Sequence, residues 1–281
     1  MKPFHRFIKI HLTTVTFCLI LVSVQAQSSF FVNDSIVTGF DSLMFATNVT
    51  HLDEFIDRFN GTSYRPDLDE PYRHRKEGIL FLFDGKTFES RQDSSFLAAE
   101  TFCRKAVEDS IYINRHSGDW YAEATCQGLL SGQEVSFKVY LCMAPRGKFM
   151  YKWVICGVSG DIFSTSRHSG ISGLYISPSE HDLRFGELSS ITRSKNEFID
   201  EYTKDSFRAD PLSIFLTLVR TGQLDISCVS ELCYQFYNVP GYVFTVSHLS
   251  RMDLNSGWLI TALKPCDEIG KMIQLMKVGK L

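Results

Sequence analysis

Histidines and carboxylates are the residues of this chain that come nearest to acid–base chemistry. His248 keeps strand parity with Phe244 and Val246, which places its imidazole on the apolar face of a strand. A buried histidine that hydrogen-bonds a neighbour accounts for this position, and a pocket acid is the alternative. Glu123 lies on the polar face of another strand, near Lys138, where a cross-strand ion pair accounts for it.

The other histidines lie in polar segments. His116 and Asp119 share a short stretch between predicted elements, and a polar hairpin loop accounts for both. His168, His181 and Asp182 lie in or beside a Ser- and Gly-rich segment that could supply a Ser-His-Asp triad. However, the sequence lacks the G-x-S-x-G nucleophile elbow, and its histidines lack the helical spacing of a metal site. The sequence therefore predicts no assembled catalytic residues, metal site or cofactor site.

Three consecutive antiparallel strands, residues 120–129, 133–142 and 149–158, position several of these side chains. A two-residue turn at Ser131 and Gly132 would pair Leu130 with Gln133, because glycine tolerates the positive φ that such turns need. This register predicts one apolar face and one polar face on the first two strands. The register of the third strand depends on the length of the loop before it. An odd loop places Trp153 on the apolar face, and an even loop places Val154 there instead.

Tyrosines give a different indication on the polar face of these strands. Tyr121 and Tyr140 lie there, and Tyr151 joins them in one of the two registers. We expect this tyrosine face to be exposed. Tyrosine is enriched at interfaces, although aromatic residues also occur simply as good strand formers.

Helices and strands alternate in the same order in both halves of the chain. We expect one helix from Thr50 to Asn60, with Thr50 as its cap and Asp53 completing a capping box. Another runs from Ser94 or Ser95, and a short strand covers residues 111–113. The second half has helical residues 183–203, a helix capped by Asp210, strands 224–237, 242–251 and 258–263, and an amphipathic tail helix. The shared order suggests an internal duplication.

The amino terminus has the features of a secretory signal peptide. Basic residues precede an apolar run that is too short to span a bilayer comfortably, and small residues follow it. We expect cleavage after Ala26, with an uncleaved anchor as the alternative. Cleavage makes an already acidic chain of net charge -3 more acidic, so we expect no nucleic-acid partner and a mature chain that does not span a membrane.

Cysteine usage is compatible with export but does not indicate a disulfide scaffold. Outside the signal peptide, seven cysteines are spread over the chain, and most lie in apolar patterns. We interpret most of them as small core residues. The sequence allows one or two disulfides, and the cysteine spacing does not identify which residues would form them.

Helices followed by long, curved antiparallel strands resemble the nuclear-transport-factor-like cone, the superfamily of the ketosteroid isomerases. The resemblance covers residues 47–158, more weakly residues 187–264, and is carried by element order, by residues 120–123 (Trp-Tyr-Ala-Glu) and by residues 152–155 (Lys-Trp-Val-Ile). It implies a pocket at the mouth of each cone, where Glu123 could act as a general base. The superfamily includes both enzymes and binding modules, so it does not decide the function.

We therefore predict an α+β protein with two similar cone-like domains in tandem. The signal peptide spans residues 1–26, the first domain 27–158, a linker 159–182, the second domain 183–266 and a tail 267–281. The predicted function is that of an exported, non-catalytic binding module, periplasmic or extracellular, for an unknown small molecule or protein. The candidate binding residues are His248, Glu123, Tyr121, Tyr140 and Trp153. The alternative function is an isomerase, lyase or hydrolase that uses a pocket histidine or carboxylate. A third possibility is a structural subunit of an envelope assembly. The oligomeric state is left open.

Overall fold

A seven-stranded mixed sheet forms the centre of the computed structural model. The structure describes residues 45, 47–62, 71–148, 150–164, 188–193, 199–204, 206–252 and 254–279. The strands are β1 (Thr47–Val49), β2 (Trp120–Leu130), β3 (Gln133–Pro145), β4 (Tyr151–Ser159), β5 (Leu224–Phe236), β6 (Tyr242–Leu249) and β7 (Asn255–Pro265). Their order across the sheet is β1-β7-β6-β5-β2-β3-β4. β1 pairs with β7 in parallel, and the other neighbours pair antiparallel.

Helices complete the structure and confirm the predicted α+β class. They are α1 (Leu52–Asn60), α2 (Pro71–Leu80), α3 (Ser94–Glu108), α4 (Leu188–Arg193), α5 (Pro211–Arg220) and α6 (Glu268–Lys277). Short 3₁₀ turns cover Gly85–Thr87, Asp161–Phe163 and Ile199–Tyr202. Within the described parts of the chain, no helix is both long enough and apolar enough to cross a membrane.

The β2–β3 hairpin has the predicted register. Leu130 pairs with Gln133, and the turn residues Ser131 and Gly132 have φ values of 50° and 88°, which fits a two-residue hairpin turn. Pro145 pairs with Tyr151 across the next turn, which is the odd-loop alternative. Opposite residues project to the same face of an antiparallel pair, so Trp153 and Ile155 lie on the apolar face with Met143 and Leu141. The register shifts between Leu141 and Tyr140, beyond which Val158 pairs with Val139.

The two halves of the chain meet at the centre of the sheet, where β2 pairs with β5 over the whole length of both strands. Three strands follow in order outward on each side: β2, β3 and β4 on one, and β5, β6 and β7 on the other. Helices α1 to α3 pack mainly on β5 to β7, whereas α5 packs on β2 to β4. The helices of each half therefore cover strands of the other half.

The opposite face of the sheet differs from the expectation of an exposed tyrosine face. Tyr121 and Tyr140 are only 4% and 9% exposed, because they belong to a buried cluster that contains Val278 and packs against Leu275 of α6. The Tyr121 hydroxyl lies 3.1 Å from that of Tyr237. The tail helix was predicted, but its position over this face was not.

Local capping is partly as predicted. Asp210 caps α5, whereas α1 begins at Leu52 and the carboxylate of Glu54, not Asp53, accepts a hydrogen bond from the Thr50 amide at 2.9 Å. Asp93 caps α3 in place of the expected serines, since its carboxylate accepts from the Ser95 amide. Residues 111–113 do not form the expected strand.

Several predictions lie wholly or partly outside the described residues. The signal peptide at 1–26 lies wholly outside the described residues. Most of the linker at 159–182 also lies outside them, including His168, His181 and Asp182. Of the predicted helical region 183–203, the structure describes α4 and the turn at Ile199–Tyr202.

Candidate functional site: an aromatic row across the sheet

Five aromatic side chains form a continuous row on the sheet face that also carries α1 and α5. In order of contact the row contains Trp153, Trp120, Tyr234, Trp258 and His248. Successive ring centroids are 5.5, 5.9, 5.0 and 5.2 Å apart. These separations are in the range of attractive aromatic pairs. We call these residues the aromatic row.

Strand register is what brings the row together. Tyr234 of β5 lies opposite Ala122 of β2, two residues beyond Trp120 and therefore on the same face. His248 and Trp258 lie directly opposite each other on β6 and β7. The row thus joins residues that are more than a hundred positions apart in the chain, and it depends on the central β2–β5 pairing.

Exposure changes along the row. Trp120 is 4% exposed, and its indole Nε1 donates to the carbonyl oxygen of Asn114 at 3.0 Å. Trp153 is 44% exposed, Tyr234 and Trp258 are half-buried, and His248 is exposed. A fixed indole therefore supports neighbouring rings that reach solvent.

A charged group borders the row. Arg115 forms ion pairs with Asp53 at 2.9 Å and with Asp57 at 2.8 Å, and its hydrogen bonds to Asp57 and then Asp53 raise the pKa of the guanidinium. Burial raises the pKa of Tyr234, and the charge of Asp53 adds to this effect. The Tyr234 phenol therefore stays protonated near neutral pH and can donate a hydrogen bond.

Beyond the row, the same sheet face continues to an open strand edge. β5 pairs with β6 only at its carboxyl end, from Cys233 to Phe236, and none of the described strands pairs with the rest of this edge. Ile226, Val229 and Leu232 are 45%, 54% and 37% exposed there. They lie on the face of the row because Ala124 and Cys126 are opposite Leu232 and Val229.

The five predicted site residues separate onto two faces. Trp153 and His248 belong to the aromatic row, whereas Glu123, Tyr121 and Tyr140 lie on the face that α6 covers. Glu123 accepts a hydrogen bond from the Lys138 ammonium at 2.5 Å, which confirms the predicted cross-strand pair. This hydrogen bond raises the pKa of Lys138, although burial partly opposes it.

His248 lies on the apolar face, as its parity predicts, but it is exposed rather than buried. Its Nδ1 lies 3.3 Å from the Ser250 hydroxyl, and its ring meets Trp258 edge to face. The imidazole and the Glu123 carboxylate therefore do not share a site.

Sequence reasoning did not identify Trp120, Tyr234 and Trp258 as members of one site. The available signal was strand parity combined with the fact that all three tryptophans of the chain lie in strands. The missing information was the β2–β5 pairing, which no local turn specifies.

The chemistry that this arrangement supports is stacking and hydrogen bonding. Exposed rings can stack on a flat apolar or sugar surface, while Asp53, Arg115 and Tyr234 offer hydrogen-bonding groups beside them. Among the residues that the structure describes, no group of three or more His, Cys, Asp or Glu side chains could hold a metal ion.

Comparisons with known proteins return no relative: no family model, no curated protein and no solved structure matches the chain.

Proposed function

We propose that this protein is an exported, non-catalytic binding module whose binding surface is the aromatic row. The ligand is a small molecule with a flat apolar or sugar ring and hydroxyl groups at its edge. Its ring would stack on Trp153, and its polar groups would face Asp53, Arg115 and Tyr234.

The observation that carries this proposal is the exposed Trp153 held in edge-to-face contact with the buried Trp120. Leaving part of a large aromatic side chain in water forgoes hydrophobic stabilisation on the order of 1 kcal/mol. The contact with Trp120 already restricts this ring, so binding would cost little additional side-chain entropy. Both features are typical of a surface that a ligand covers.

Export is supported by the disulfide between Cys142 and Cys156. Disulfides persist mainly in oxidising compartments, and the amino-terminal sequence has the pattern of a cleaved signal peptide. We accordingly propose a periplasmic or extracellular location.

The enzyme alternative is an isomerase, lyase or hydrolase that uses a pocket histidine or carboxylate, and a pocket holding both would favour it. His248 and Glu123 lie on opposite faces of the sheet, which favours binding over catalysis by this pair. The envelope-subunit alternative rested on a tyrosine face covered by another chain, and α6 of the same chain covers Tyr121 and Tyr140.

We also propose an internal duplication and a relationship to the cone superfamily. Their support is the repeated three-strand order on either side of the β2–β5 pair. If the halves are related, they share one sheet and exchange their helices, as the packing of α5 on β2 to β4 indicates.

Native mass spectrometry of the protein purified from its own host tests the proposed function. We expect a bound small molecule with the wild-type chain, loss of that molecule with Trp153→Ala, and retention with Phe207→Ala, which alters an exposed aromatic residue outside the row. A bare wild-type protein, or equal retention by both variants, would contradict the proposal.

A further inference from the structure

Strand β4 carries apolar side chains on both of its faces, so its sequence alone does not choose its register. Trp153 and Ile155 project to the face of the aromatic row and are 44% and 40% exposed. Val154 and Cys156 alternate with them and pack, half-buried, against the buried cluster on the face that α6 covers. Register is weakly specified where neither face is strongly preferred. Another contact must therefore decide which face carries Trp153.

β4 lies at the edge of the described sheet, where few hydrogen bonds resist a shift. Among the described strands it pairs with β3 alone. Where this pair begins, Pro145 lies opposite Tyr151, and proline has no N–H to donate to the ladder. An edge strand with a weakened first pair resists a shift less than a central strand, which is held by two neighbours.

A bulge at Cys156 sets the observed register. It is defined by two neighbouring pairs of the ladder, Leu141 with Ile155 and Tyr140 with Gly157. Cys156 is the extra residue between these pairs. A shift of β4 by one position would remove the bulge and give an uninterrupted ladder, which we call the regular register. Residues 151–156 would then all change faces, and Trp153 would leave the aromatic row.

The disulfide between Cys142 and Cys156 is compatible with only one of these two registers. In the observed register both cysteines lie on the face that α6 covers, where Cys142 is 5% exposed. In the regular register Cys156 would lie opposite Leu141, and therefore on the face of the aromatic row. Cysteines whose Cβ atoms point to opposite faces of a sheet cannot be bridged. The disulfide thus excludes the register that removes Trp153 from the row.

We propose that the Cys142–Cys156 disulfide is a register lock that positions Trp153 in the aromatic row. Without the disulfide, β4 also populates the regular register, in which Trp153 separates from Trp120 and Val154 takes its place on that face. The cysteines lie on the opposite side of the sheet from the row, so they are positioning residues and not ligand contacts. The importance of the lock for ligand binding rests on the function proposed above, whereas the choice of register does not.

Moving one cysteine by a single position tests the lock. The double variant Ile155→Cys with Cys156→Ser has a thiol at position 155 that faces Cys142 only in the regular register. Oxidised glutathione serves as the oxidant, so that two protein thiols form one disulfide and two molecules of reduced glutathione are released. We expect peptide mapping by mass spectrometry to find position 155 bonded to Cys142. The control, Cys156→Ser alone, should form no new disulfide within the protein.

Nuclear Overhauser contacts between Trp120 and Trp153 report the observed register without a ligand, because their ring centroids are 5.5 Å apart. We expect these contacts in wild type and in Cys228→Ser, which removes an exposed free cysteine. They should be lost in the crosslinked double variant. The contact between Tyr234 and Trp258, at 5.0 Å, should persist in all three proteins, which separates a change of register from general unfolding.

Reduction of the wild-type chain provides a second route that needs no substitution. Dithiothreitol closes to its own ring disulfide and passes two electrons and two protons to the Cys142–Cys156 bond, which becomes two thiols. The Trp120–Trp153 contacts should weaken after reduction and return after reoxidation. Unchanged contacts in the reduced chain would overturn the proposal, as would free thiols at positions 142 and 155 of the folded double variant. These measurements decide the register even if the proposed ligand-binding function fails.

Discussion

Lys271 shows how a single residue sets the position of an element. Its ammonium is buried, bonds two carbonyl oxygens and lies 3.2 Å from the Glu268 carboxylate. Replacing it with methionine keeps the apolar stem and removes the donors that those carbonyl groups need.

We predict that Lys271→Met lowers the free energy of unfolding by about 2 kcal/mol, the order expected for unsatisfied buried acceptors. Lys264→Met, at an exposed lysine, is the matched control and should have little effect. Urea denaturation followed by circular dichroism measures both. Equal midpoints for Lys271→Met and wild type would show that these contacts do not hold α6.

Tyr121 gives a pH prediction at the same scale. Burial, strengthened by its hydrogen bond with Tyr237, raises the pKa of Tyr121. An acid whose pKa is raised on folding contributes stability that is present below its unfolded pKa, about 10 for tyrosine, and is lost as the pH rises above it.

The free energy of unfolding should therefore fall above about pH 10, the unfolded tyrosine value, and fall less steeply in Tyr121→Phe. Denaturant titrations at several alkaline pH values provide the measurement. Parallel pH profiles for the two proteins would assign the alkaline loss to other groups.

At the level of elements, β3 and β4 are joined by both hydrogen bonds and the Cys142–Cys156 disulfide, which closes a loop with a sequence separation of 14. Replacing both cysteines with alanine should lower the free energy of unfolding by about 3 kcal/mol, since loop-closure entropy is returned to the unfolded chain. Thermal unfolding should show a lower midpoint for this variant, and no change for Cys228→Ala. A midpoint equal to that of wild type would contradict the prediction.

The start of α5 depends on Asp210, whose carboxylate accepts hydrogen bonds from the Ser213 and Leu212 amides. Asp210→Ala should cost about 1 kcal/mol and increase hydrogen exchange in the first turn of α5. Asp225→Ala, at an exposed strand position, is the control. Unchanged exchange in α5 would show that the packing of its Phe215 on Phe137 is sufficient to hold the helix.

The elements that could be predicted are those specified by nearby residues. Ser131 and Gly132 fix the β2–β3 register, and Asp210 with Pro211 begins α5, because these signals act over a few positions. The burial of Tyr121 and Tyr140 was not predicted, since it depends on the rotation of α6 and hence on contacts between Lys271 and a distant turn. Trp153 and His248 were identified separately. Their connection through Trp120, Tyr234 and Trp258 required the long-range β2–β5 pairing.

At the scale of the whole molecule, the two halves form one sheet whose faces have different roles. One face carries α1, α5 and the aromatic row. The other carries α6, which packs over the buried residues Tyr121, Tyr140 and Tyr237. We propose that the first of these faces binds a small molecule through the row.

The most direct test of this claim is the response of the indole N–H signals in nitrogen-15 NMR spectra. All three tryptophans lie in the row, so every indole signal reports on it. Upon addition of the compound released from the host-purified protein, we expect the Trp153 and Trp258 signals to shift. The Trp120 signal should shift less, since its N–H is bonded to Asn114. Shifts in backbone amides elsewhere with all three indole signals unmoved would contradict the claim.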